Sequence, residues 1–426
     1  MNRTSRTNSK HRVLVLGAGY AGAITAGRLA KRVHHDEVEI TLVNAEPDFV
    51  ERIRMHQLAG GQDLPLRPLR DIYAGTGVRV RIARVGSVDA DHKTVELTDE
   101  NGTEALGYDT LVYALGSTAA ASEVPGVAEY AHNVAGRQGA LRLRARLAEL
   151  AASADPAEPA ERAEPADPAE RAPGASVLIV GGGLTGIEAA AEIAEAYPNL
   201  RVGIATRGGL GDWLGEKARH HLRGAFARFG ITVHEDTDVT AVEADRVRTG
   251  AGGEIPARVT VWANGFAVHP IAAASALEVS DTGRIVVDAT LRSVSHPDVY
   301  AVGDAAYAIG AGGKPLRMSC AAANPMAWLA ADGLAARLTG RKAPETEIGY
   351  KFQCISLGRR DGIVQHVTRD DRAKPKAMTG RNAARVKEMI CSATTWSLTH
   401  PTNMMPSRRH RIAVPAPAVR PERVTA

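Results

Sequence analysis

The sequence predicts an α/β protein with two β–α–β units, each built on a parallel sheet between helical layers, and a small C-terminal α+β segment. In the first unit, an apolar strand at 12–16 ends in Gly17-Ala18-Gly19-Tyr20-Ala21-Gly22. An Ala/Leu-rich helix to about residue 31 and a second strand at 38–44 follow. This alternation of strand and helix periods is typical of parallel α/β architecture.

The second unit repeats this order. A strand at 176–180 ends in Gly181-Gly182-Gly183-Leu184-Thr185-Gly186, and a helix through Glu195 and a strand at 201–206 follow. In each turn the first glycine permits a tight bend, the second lets backbone N–H groups approach a pyrophosphate, and the third lets helix pack on strand. One such turn is a weak signal, but two in the right context predict two dinucleotide sites.

Three further strands end in small or polar residues. They close with Ala114-Leu115-Gly116, with Asn264-Gly265 and with Gly303-Asp304. We expect Asp304 at the N-terminus of an Ala-rich helix, where its carboxylate could accept hydrogen bonds from a polyhydroxyl chain. An ordinary N-cap is the alternative interpretation.

Taken in order, these five motifs resemble the two-dinucleotide-binding-domain flavoproteins, the pyridine nucleotide-disulfide oxidoreductase superfamily, over residues 11 to 340. The segment 44–57 and the lack of a cysteine pair in the first unit are similar to the type II NADH dehydrogenase branch. The resemblance implies two Rossmann-like domains, with FAD at the first glycine turn and NADPH or NADH at the second. It also implies that Asp304 binds the ribityl chain of the flavin and that Glu188 lies near the nicotinamide and flavin rings.

This organisation implies the following boundaries. The FAD-binding domain is split between 11–148 and 280–345, and the NAD(P)H-binding domain spans 176–279. Between them, 149–175 is rich in Pro, Ala and Glu and predicts a flexible linker, because proline interrupts helices and sheets alike. Residues 346–406 form a C-terminal interface segment, and 407–426 a flexible tail.

Composition narrows the class of protein. Of 426 residues, 44% are hydrophobic and 23% are charged, which excludes a wholly disordered chain. A net charge of +4 with only 4% aromatic residues gives no indication of nucleic-acid binding. Three separate cysteines predict neither a disulfide framework nor a zinc site, so we expect no metal and a reducing, cytoplasmic location.

Several positions depart from the family pattern. Asn44, followed by Ala45, stands where an acid usually binds the adenosine ribose, and asparagine can do so as a neutral group. In the second unit Thr206 and Arg207 replace the acid of an NAD-selective site, which favours the 2′-phosphate of NADPH. Arg52 lies on a segment expected to pass near the flavin, where it could stabilise negative charge or form a salt bridge.

Electron transfer beyond the flavin involves two candidate catalytic residues, Glu188 and Cys320. Glu188 could orient the nicotinamide or relay a proton. The resemblance places Cys320 and Asn324 where type II dehydrogenases present two glutamines to the quinone. Cys320 is interpreted either as a small packing residue or as a redox thiol.

The combined prediction is an FAD-dependent NAD(P)H oxidoreductase that passes hydride from nicotinamide to flavin and then electrons to a quinone or other small organic acceptor, without a redox-active disulfide. A redox-sensing flavoprotein with slow turnover and a natural-product tailoring enzyme are the alternatives. The helix at about 380–398 carries Val386, Met389, Ile390, Ala393 and Trp396 at helical spacing, before the basic cluster 408–411. This stripe predicts either peripheral contact with the inner face of the membrane or packing on the protein or on a second subunit of a homodimer.

Overall fold

The computed structural model describes residues 10–154, 175–405 and 407–413, which form strands and helices in the order that the sequence predicts. The strands are β1 (His11–Leu16), β2 (Val38–Asn44), β3 (Val78–Ile82), β4 (Arg84–Asp89), β5 (Thr94–Asp99), β6 (Gly102–Gly107), β7 (Thr110–Tyr113), β8 (Ser117–Ala119), β9 (Ala131–His132), β10 (Ser176–Val180), β11 (Arg201–Ala205), β12 (Thr232–His234), β13 (Val239–Val242), β14 (Arg246–Thr249), β15 (Glu254–Pro256), β16 (Val259–Trp262), β17 (Phe266–Val268), β18 (Ile285–Val286), β19 (Val299–Ala301), β20 (Ala306–Tyr307), β21 (Phe352–Ser356), β22 (Gly362–Val367) and β23 (Ala373–Thr379). The helices are α1 (Tyr20–Ala30), α2 (Met55–Ala59), α3 (Leu69–Ile72), α4 (Val127–Tyr130), α5 (Arg137–Ser153), α6 (Leu184–Ala196), α7 (Glu216–Arg228), α8 (Cys320–Thr339) and α9 (Arg381–Thr399).

The first parallel sheet has the strand order β19-β7-β1-β2-β3. Its central strand β1 is an apolar run whose last four residues are buried, as expected of a strand covered on both faces. Helices α1 and α8 pack against each other beside this sheet. The buried Arg28 of α1 joins them, because its guanidinium donates two hydrogen bonds, of 2.9 and 2.7 Å, to the carboxylate of Asp332.

The second parallel sheet has the order β12-β11-β10-β16-β9. Its central strand β10 is buried throughout, and α6 follows it directly after the second glycine turn. In both sheets the glycine turn lies at the carboxyl end of a central strand, where open α/β sheets bind ligands. The two β–α–β units predicted from the sequence are therefore confirmed.

Antiparallel elements complete the fold. Strands β4 to β6 and β13 to β15 each form a three-stranded antiparallel sheet within one of the units. The C-terminal segment is a third such sheet, β21-β22-β23, with α9 packed on it. Strand β23 includes Pro375 and is absent from the sequence prediction, because a proline normally counts against a strand; it is tolerated here on an edge.

The predicted linker begins too early. Helix α5 continues to Ser153, and Leu150 on it is buried. Residues 149–153 are alanine, leucine, glutamate and serine with no proline, so nothing in them interrupts the helix. The Pro-rich part of the predicted linker, 155–174, lies outside the described residues.

The predicted tail begins too early as well. His410 exchanges backbone hydrogen bonds with Arg32 and His34, and Arg411 pairs with Glu37 at 2.7 Å. The backbone N–H of Ala413 donates to the carbonyl of Leu338. Residues 410–413 of the tail are thus tied to the first unit by backbone hydrogen bonds and one ion pair, and 414–426 lie outside the described residues.

Candidate functional site

The first glycine turn forms a close-packed cradle. Gly17 has a φ of +92°, and a Cβ atom there would lie 2.4 Å from the carbonyl oxygen of Ala114. A Cβ atom on Gly22 would lie 1.9 Å from the carbonyl oxygen of Gly17. A Cβ atom on Gly19 would instead face open space. The chain therefore needs glycine at two positions for its own packing and leaves the third open to a ligand.

The other residues predicted for the first site surround this cradle. A Cβ atom on Gly303 would lie 2.9 Å from that of Ala21, so the motif that contains Asp304 touches the start of α1. The carboxylate of Asp304 accepts a hydrogen bond of 2.6 Å from the Ser117 hydroxyl, and the guanidinium of Arg52 lies 3.6 Å from it. The segments that begin at residues 17, 114 and 303, together with Arg52, thus meet at one crevice.

Asn44 supports the turn rather than standing free. Its Oδ1 accepts a hydrogen bond of 2.9 Å from the backbone N–H of Ala18, and its Nδ2 donates one of 2.8 Å to the carbonyl of Glu46. Ala45 is exposed beside it. A carboxylate could accept the first hydrogen bond but could not donate the second, which is a structural reason for asparagine here.

Asp304 does not begin an α-helix, contrary to the sequence prediction. It lies in a single 3-10 turn, Gly303–Ala305, and the long helix α8 begins only at Cys320. The segment between them contains three glycines and Pro315, which favour turns over a helix. The carboxylate is therefore held by Ser117 and Arg52 rather than by a helix N-terminus.

These residues fit a flavin dinucleotide. The open side of Gly19 would admit the pyrophosphate, the N-terminus of α1 and Arg52 would complement its charge, and Asp304 would accept hydrogen bonds from a hydroxyl chain.

The second glycine turn repeats the cradle. A Cβ atom on Gly181 would lie 2.8 Å from the carbonyl oxygen of Ala263 and 3.3 Å from the backbone nitrogen of Asn264. A Cβ atom on Gly186 would lie 1.9 Å from the carbonyl oxygen of Gly181, whereas one on Gly183 would meet nothing within 4 Å. Leu184 and Thr185 open α6 directly above the turn.

The residues predicted to select the nucleotide lie beside this turn. A Cβ atom on Gly182 would lie 2.4 Å from the hydroxyl oxygen of Thr206, so β11 ends against the glycines. The next residue, Arg207, is exposed and has no hydrogen-bond or ion-pair partner among the described residues. Its guanidinium is free to meet a phosphate.

Pairing between two short strands joins the two sites. Strand β8 follows Gly116 of the first unit and pairs with β17, which follows Gly265 of the second. The guanidinium carbon of Arg52 lies 5.6 Å from the centre of the Phe266 ring. The carboxyl ends of both sheets are therefore adjacent, as transfer between two dinucleotides requires.

Glu188 lies in α6 within a buried cluster of charged groups. One carboxylate oxygen accepts a hydrogen bond of 2.9 Å from the backbone N–H of Ser356 and contacts the ammonium of Lys387. The other lies 3.8 Å from Nδ1 of His56. Burial lowers the pKa of Lys387 to about 8, and burial together with nearby cations holds the pKa of His56 well below its ordinary value.

Lys387 was not among the predicted site residues, whereas His56 belongs to the segment with Arg52 that the sequence places near the flavin. Lys387 shares its buried helix face with Ala383 and Cys391, four residues to either side. The one signal in the sequence is that Lys387 recurs at helical spacing with the small residues Ala383 and Cys391. This spacing indicates a buried lysine only when the carboxylate that pairs with it is known.

Cys320 begins α8, with Asn324 one turn later. Neighbouring protein atoms, with the charge of Asp304 adding to their effect, raise the pKa of the Cys320 thiol, which disfavours the thiolate. The side-chain oxygen of Asn324 is buried and lacks a hydrogen-bond partner among the described residues. A ligand that donates a hydrogen bond would satisfy it.

A cavity of about 710 Å³ opens between α2, α3 and α9. Its apolar wall includes Leu66, Ile72 and Trp396, and its polar wall includes Glu51 and Thr395. The Thr395 hydroxyl donates a hydrogen bond of 3.2 Å to Glu51. Glu51 directly precedes Arg52, whose guanidinium lies 3.6 Å from the Asp304 carboxylate, so this wall adjoins the first site.

Comparison with known proteins agrees with this geometry. The sequence profile of the family described as pyridine nucleotide-disulphide oxidoreductase matches residues 11–331. Demethylphylloquinone reductase NdbB from Synechocystis is 29% identical over 369 residues, covering 84% of this chain and 87% of its own. A type II NADH:quinone oxidoreductase from Staphylococcus haemolyticus is 26% identical over 407 residues, covering 89% and 94%.

Solved structures support the fold. NDH2 from Plasmodium falciparum, in complex with NADH, aligns with a TM-score of 0.74 at 15% identity and covers 93% of this chain and 99% of its own. The sulfide:quinone oxidoreductase from Aquifex aeolicus aligns with a TM-score of 0.73 at 19% identity and covers 92% of both chains.

The two kinds of glycine in the second turn predict different effects of alanine. We expect Gly186→Ala to lower both Tm and NADPH affinity, because its Cβ atom would overlap a carbonyl oxygen. We expect Gly183→Ala to leave Tm unchanged and weaken NADPH binding at least about tenfold, because its Cβ atom would obstruct only the pyrophosphate. Thermal unfolding and fluorescence titration measure the two effects. Unchanged NADPH affinity in Gly183→Ala would contradict this assignment of the turn.

His56 predicts a pH effect on stability. The folded protein keeps this residue uncharged below pH 6.5, whereas the unfolded chain binds a proton there, so the free energy of unfolding falls as pH drops. Urea unfolding at about pH 7.5 and 5.5 should show a decrease about 1 kcal/mol smaller in His56→Gln than in wild type. The exposed His220→Gln is the control and should behave as wild type. Equal decreases in all three proteins would mean that His56 titrates normally.

Proposed function

The chain belongs to the pyridine nucleotide-disulphide oxidoreductase family, and on that premise we propose that it oxidises NAD(P)H and reduces a quinone or similar small organic acceptor. The observation that carries this proposal is the pair of complete glycine cradles whose adjoining strands β8 and β17 are hydrogen-bonded to each other. A quinone is proposed as the acceptor because the relatives are a type II NADH:quinone oxidoreductase and a demethylphylloquinone reductase.

FAD, when bound, supplies the chemistry of accepting hydride and releasing electrons. The protein supplies position and charge. Asp304, fixed by Ser117, and the cation Arg52 would hold the hydroxyl chain and pyrophosphate at the first cradle. Residues 263–265 and the turn at 181–186 would hold the nicotinamide dinucleotide so that its reactive ring faces the first site.

We propose that Glu188 is a positioning residue. Its carboxylate is already bonded to Ser356 and Lys387, so it holds the C-terminal segment against α6 rather than standing free as a base. Cys320 would contribute a neutral thiol to the walls of the site, since its raised pKa disfavours a thiolate. This route uses no disulfide, and all three cysteines are free.

The acceptor would bind in the cavity of about 710 Å³ that Glu51 and Thr395 help to line. This volume suits a small organic molecule. A quinone ring needs an apolar wall and a few hydrogen-bonding groups, and Leu66, Ile72 and Trp396 face Thr395 and Arg54 across this space.

NADPH is the proposed preferred donor. Thr206 contacts the glycine turn where an NAD-selective site would carry an acid, and Arg207 follows with an unpaired guanidinium. An arginine pairs well with a 2′-phosphate, which NADH lacks.

Anaerobic mixing of the FAD-loaded protein with NADPH or NADH, followed by a quinone, tests both proposals. NADPH should bleach the flavin with the higher kcat/KM, and the quinone should restore the colour. Arg207→Gln should lower kcat/KM for NADPH by about 10- to 100-fold and leave NADH unaffected, because one charged contact is lost. The control is Arg258→Gln, which removes the same charge. Arg258 precedes β16 and so lies at the amino edge of the parallel sheet, whereas Arg207 lies at its carboxyl edge. Failure of either nucleotide to bleach the flavin would overturn the reductase proposal.

The apolar stripe of α9 is the proposed contact with a membrane surface. Met389 and Trp396 are 62% and 41% exposed. The buried residues of the helix are Ala383, Lys387, Cys391, Thr394, Thr395, Ser397 and Leu398. Val386 and Ile390 of the stripe are half-buried, whereas Met389, Ala393 and Trp396 are exposed, so packing on the protein itself accounts for only part of the stripe. Met404 and Met405 extend the exposed apolar surface, and no described helix is long and apolar enough to span a bilayer.

Flotation with anionic liposomes tests the membrane proposal. Met389→Ser/Trp396→Ser should reduce the floating fraction several-fold, because both side chains would leave water on binding. The control Leu141→Ser alters an exposed leucine on α5. If the chain stays at the bottom of the gradient but sediments as a dimer that the double variant dissociates, the stripe is a subunit interface instead.

A further inference from the structure

A second cavity, of about 650 Å³, lies on the other side of the Arg54–Glu388 ion pair from the proposed acceptor cavity. Its walls come from the end of α2, the turn between β21 and β22, and the first half of α9. Its volume falls in the range of small-molecule sites. Five arginines and one lysine line it, against a single acid, Glu388.

Three of these cations are already neutralised by the protein. Arg54 is bonded to Glu388, Arg359 donates a hydrogen bond of 2.8 Å to the buried Glu192, and Lys387 contacts Glu188. Arg360, Arg381 and Arg385 remain, all exposed and without a hydrogen-bond or ion-pair partner among the described residues. The cavity therefore carries a surplus of positive charge.

The three arginines repel one another and the positive end of a helix when no anion is bound between them. Arg381 is the first residue of α9, whose first turn contains no acid, so its charge adds to the positive end of the helix dipole. Arg385 follows one turn later, and Arg360 faces the same space from the β21–β22 turn. An anion in the cavity would relieve the repulsion among these groups.

This cavity is separate from the second glycine turn. Arg359 bonds to Glu192 and to Glu195, near the far end of α6, and Glu195 lies eleven residues beyond Leu184. At 1.5 Å per residue the arginine rim is about 16 Å from the second glycine turn. A pyrophosphate held at that turn does not reach these arginines.

We propose that this cavity is a binding site for a compact polyanion, a small molecule with two or more phosphate or carboxylate groups. Arginine binds both groups through paired hydrogen bonds, and unpaired arginines on two separate elements favour a ligand with at least two charged ends. The site stands independently of the acceptor, because none of the three arginines lines the other cavity.

Calorimetric titration of the FAD-loaded protein, saturated with NADP⁺ so that both nucleotide turns are filled, tests the proposal. The probes are inorganic pyrophosphate and citrate, which distinguish phosphate from carboxylate ligands. We expect at least one of them to bind with one molecule per chain. In Arg360→Gln/Arg385→Gln its affinity should fall at least about tenfold, because two charged hydrogen-bond donors are removed.

The control Arg84→Gln/Arg258→Gln removes equal charge at exposed positions outside the cavity and should bind within about twofold of wild type. Both variants replace side chains that have no hydrogen-bond or ion-pair partner in the described part of the chain, and unchanged Tm values would verify that they fold. The same anion should raise the Tm of the wild type and the control but not that of the cavity variant. No binding to the wild type, several anions per chain, or equal weakening in both variants would overturn the proposal. This test measures anion binding alone, so its outcome does not depend on whether the protein reduces a quinone.

Discussion

The buried carboxylate of Glu188 is the constraint on which the arrangement of the functional parts depends. An unpaired charge in this position would be strongly destabilising, so the chain must bring a cation and a donor to it. Ser356 and Lys387 meet this need from the C-terminal segment, and His56 approaches from α2. Glu192 and Glu195, on the same face of α6, bind the next turn of that segment through Arg359. Charge pairing thereby fixes the C-terminal sheet and α9 against both nucleotide units.

Two cavities adjoin that fixed contact: one is lined by apolar side chains together with charges of both signs, and the other mainly by cations. Helix α9 lies between them, and the Arg54–Glu388 pair forms part of the wall of each. The apolar side chains of one suit a quinone ring, while the unpaired arginines of the other suit an anion. The exposed stripe with Met389 and Trp396 lies on the outward side of the same helix. One helix therefore contributes to three surfaces, with Glu388 shared by the two cavities and Trp396 shared by the first cavity and the exposed stripe.

Local physical rules explain which predictions succeeded. A glycine turn after a strand is specified by neighbouring residues, since the overlap between Gly22 and Gly17 arises within six positions of the chain. Both turns and their β–α–β units were predicted for that reason. The helix expected at Asp304, the early linker and the free tail were wrong. The glycines and Pro315 that follow Asp304 exclude a helix there, and the run 149–153 without proline continues α5. The tail was decided by the pairing of Arg411 with Glu37, residues that are far apart in sequence.

The sequence by itself determined the fold class, the family and the positions of two dinucleotide cradles, because the glycine spacing and the contacts of Gly22 with Gly17 and of Gly186 with Gly181 lie within a few consecutive residues. Only the tertiary structure decided which face of α9 is buried, since an apolar stripe is compatible with burial or exposure, whereas Lys387 must meet a carboxylate 199 positions earlier in the chain. It also brought Arg360 of one turn to Arg381 and Arg385 of a helix. Long-range electrostatic pairing leaves no local pattern, and so the cavities could be found only in the folded chain.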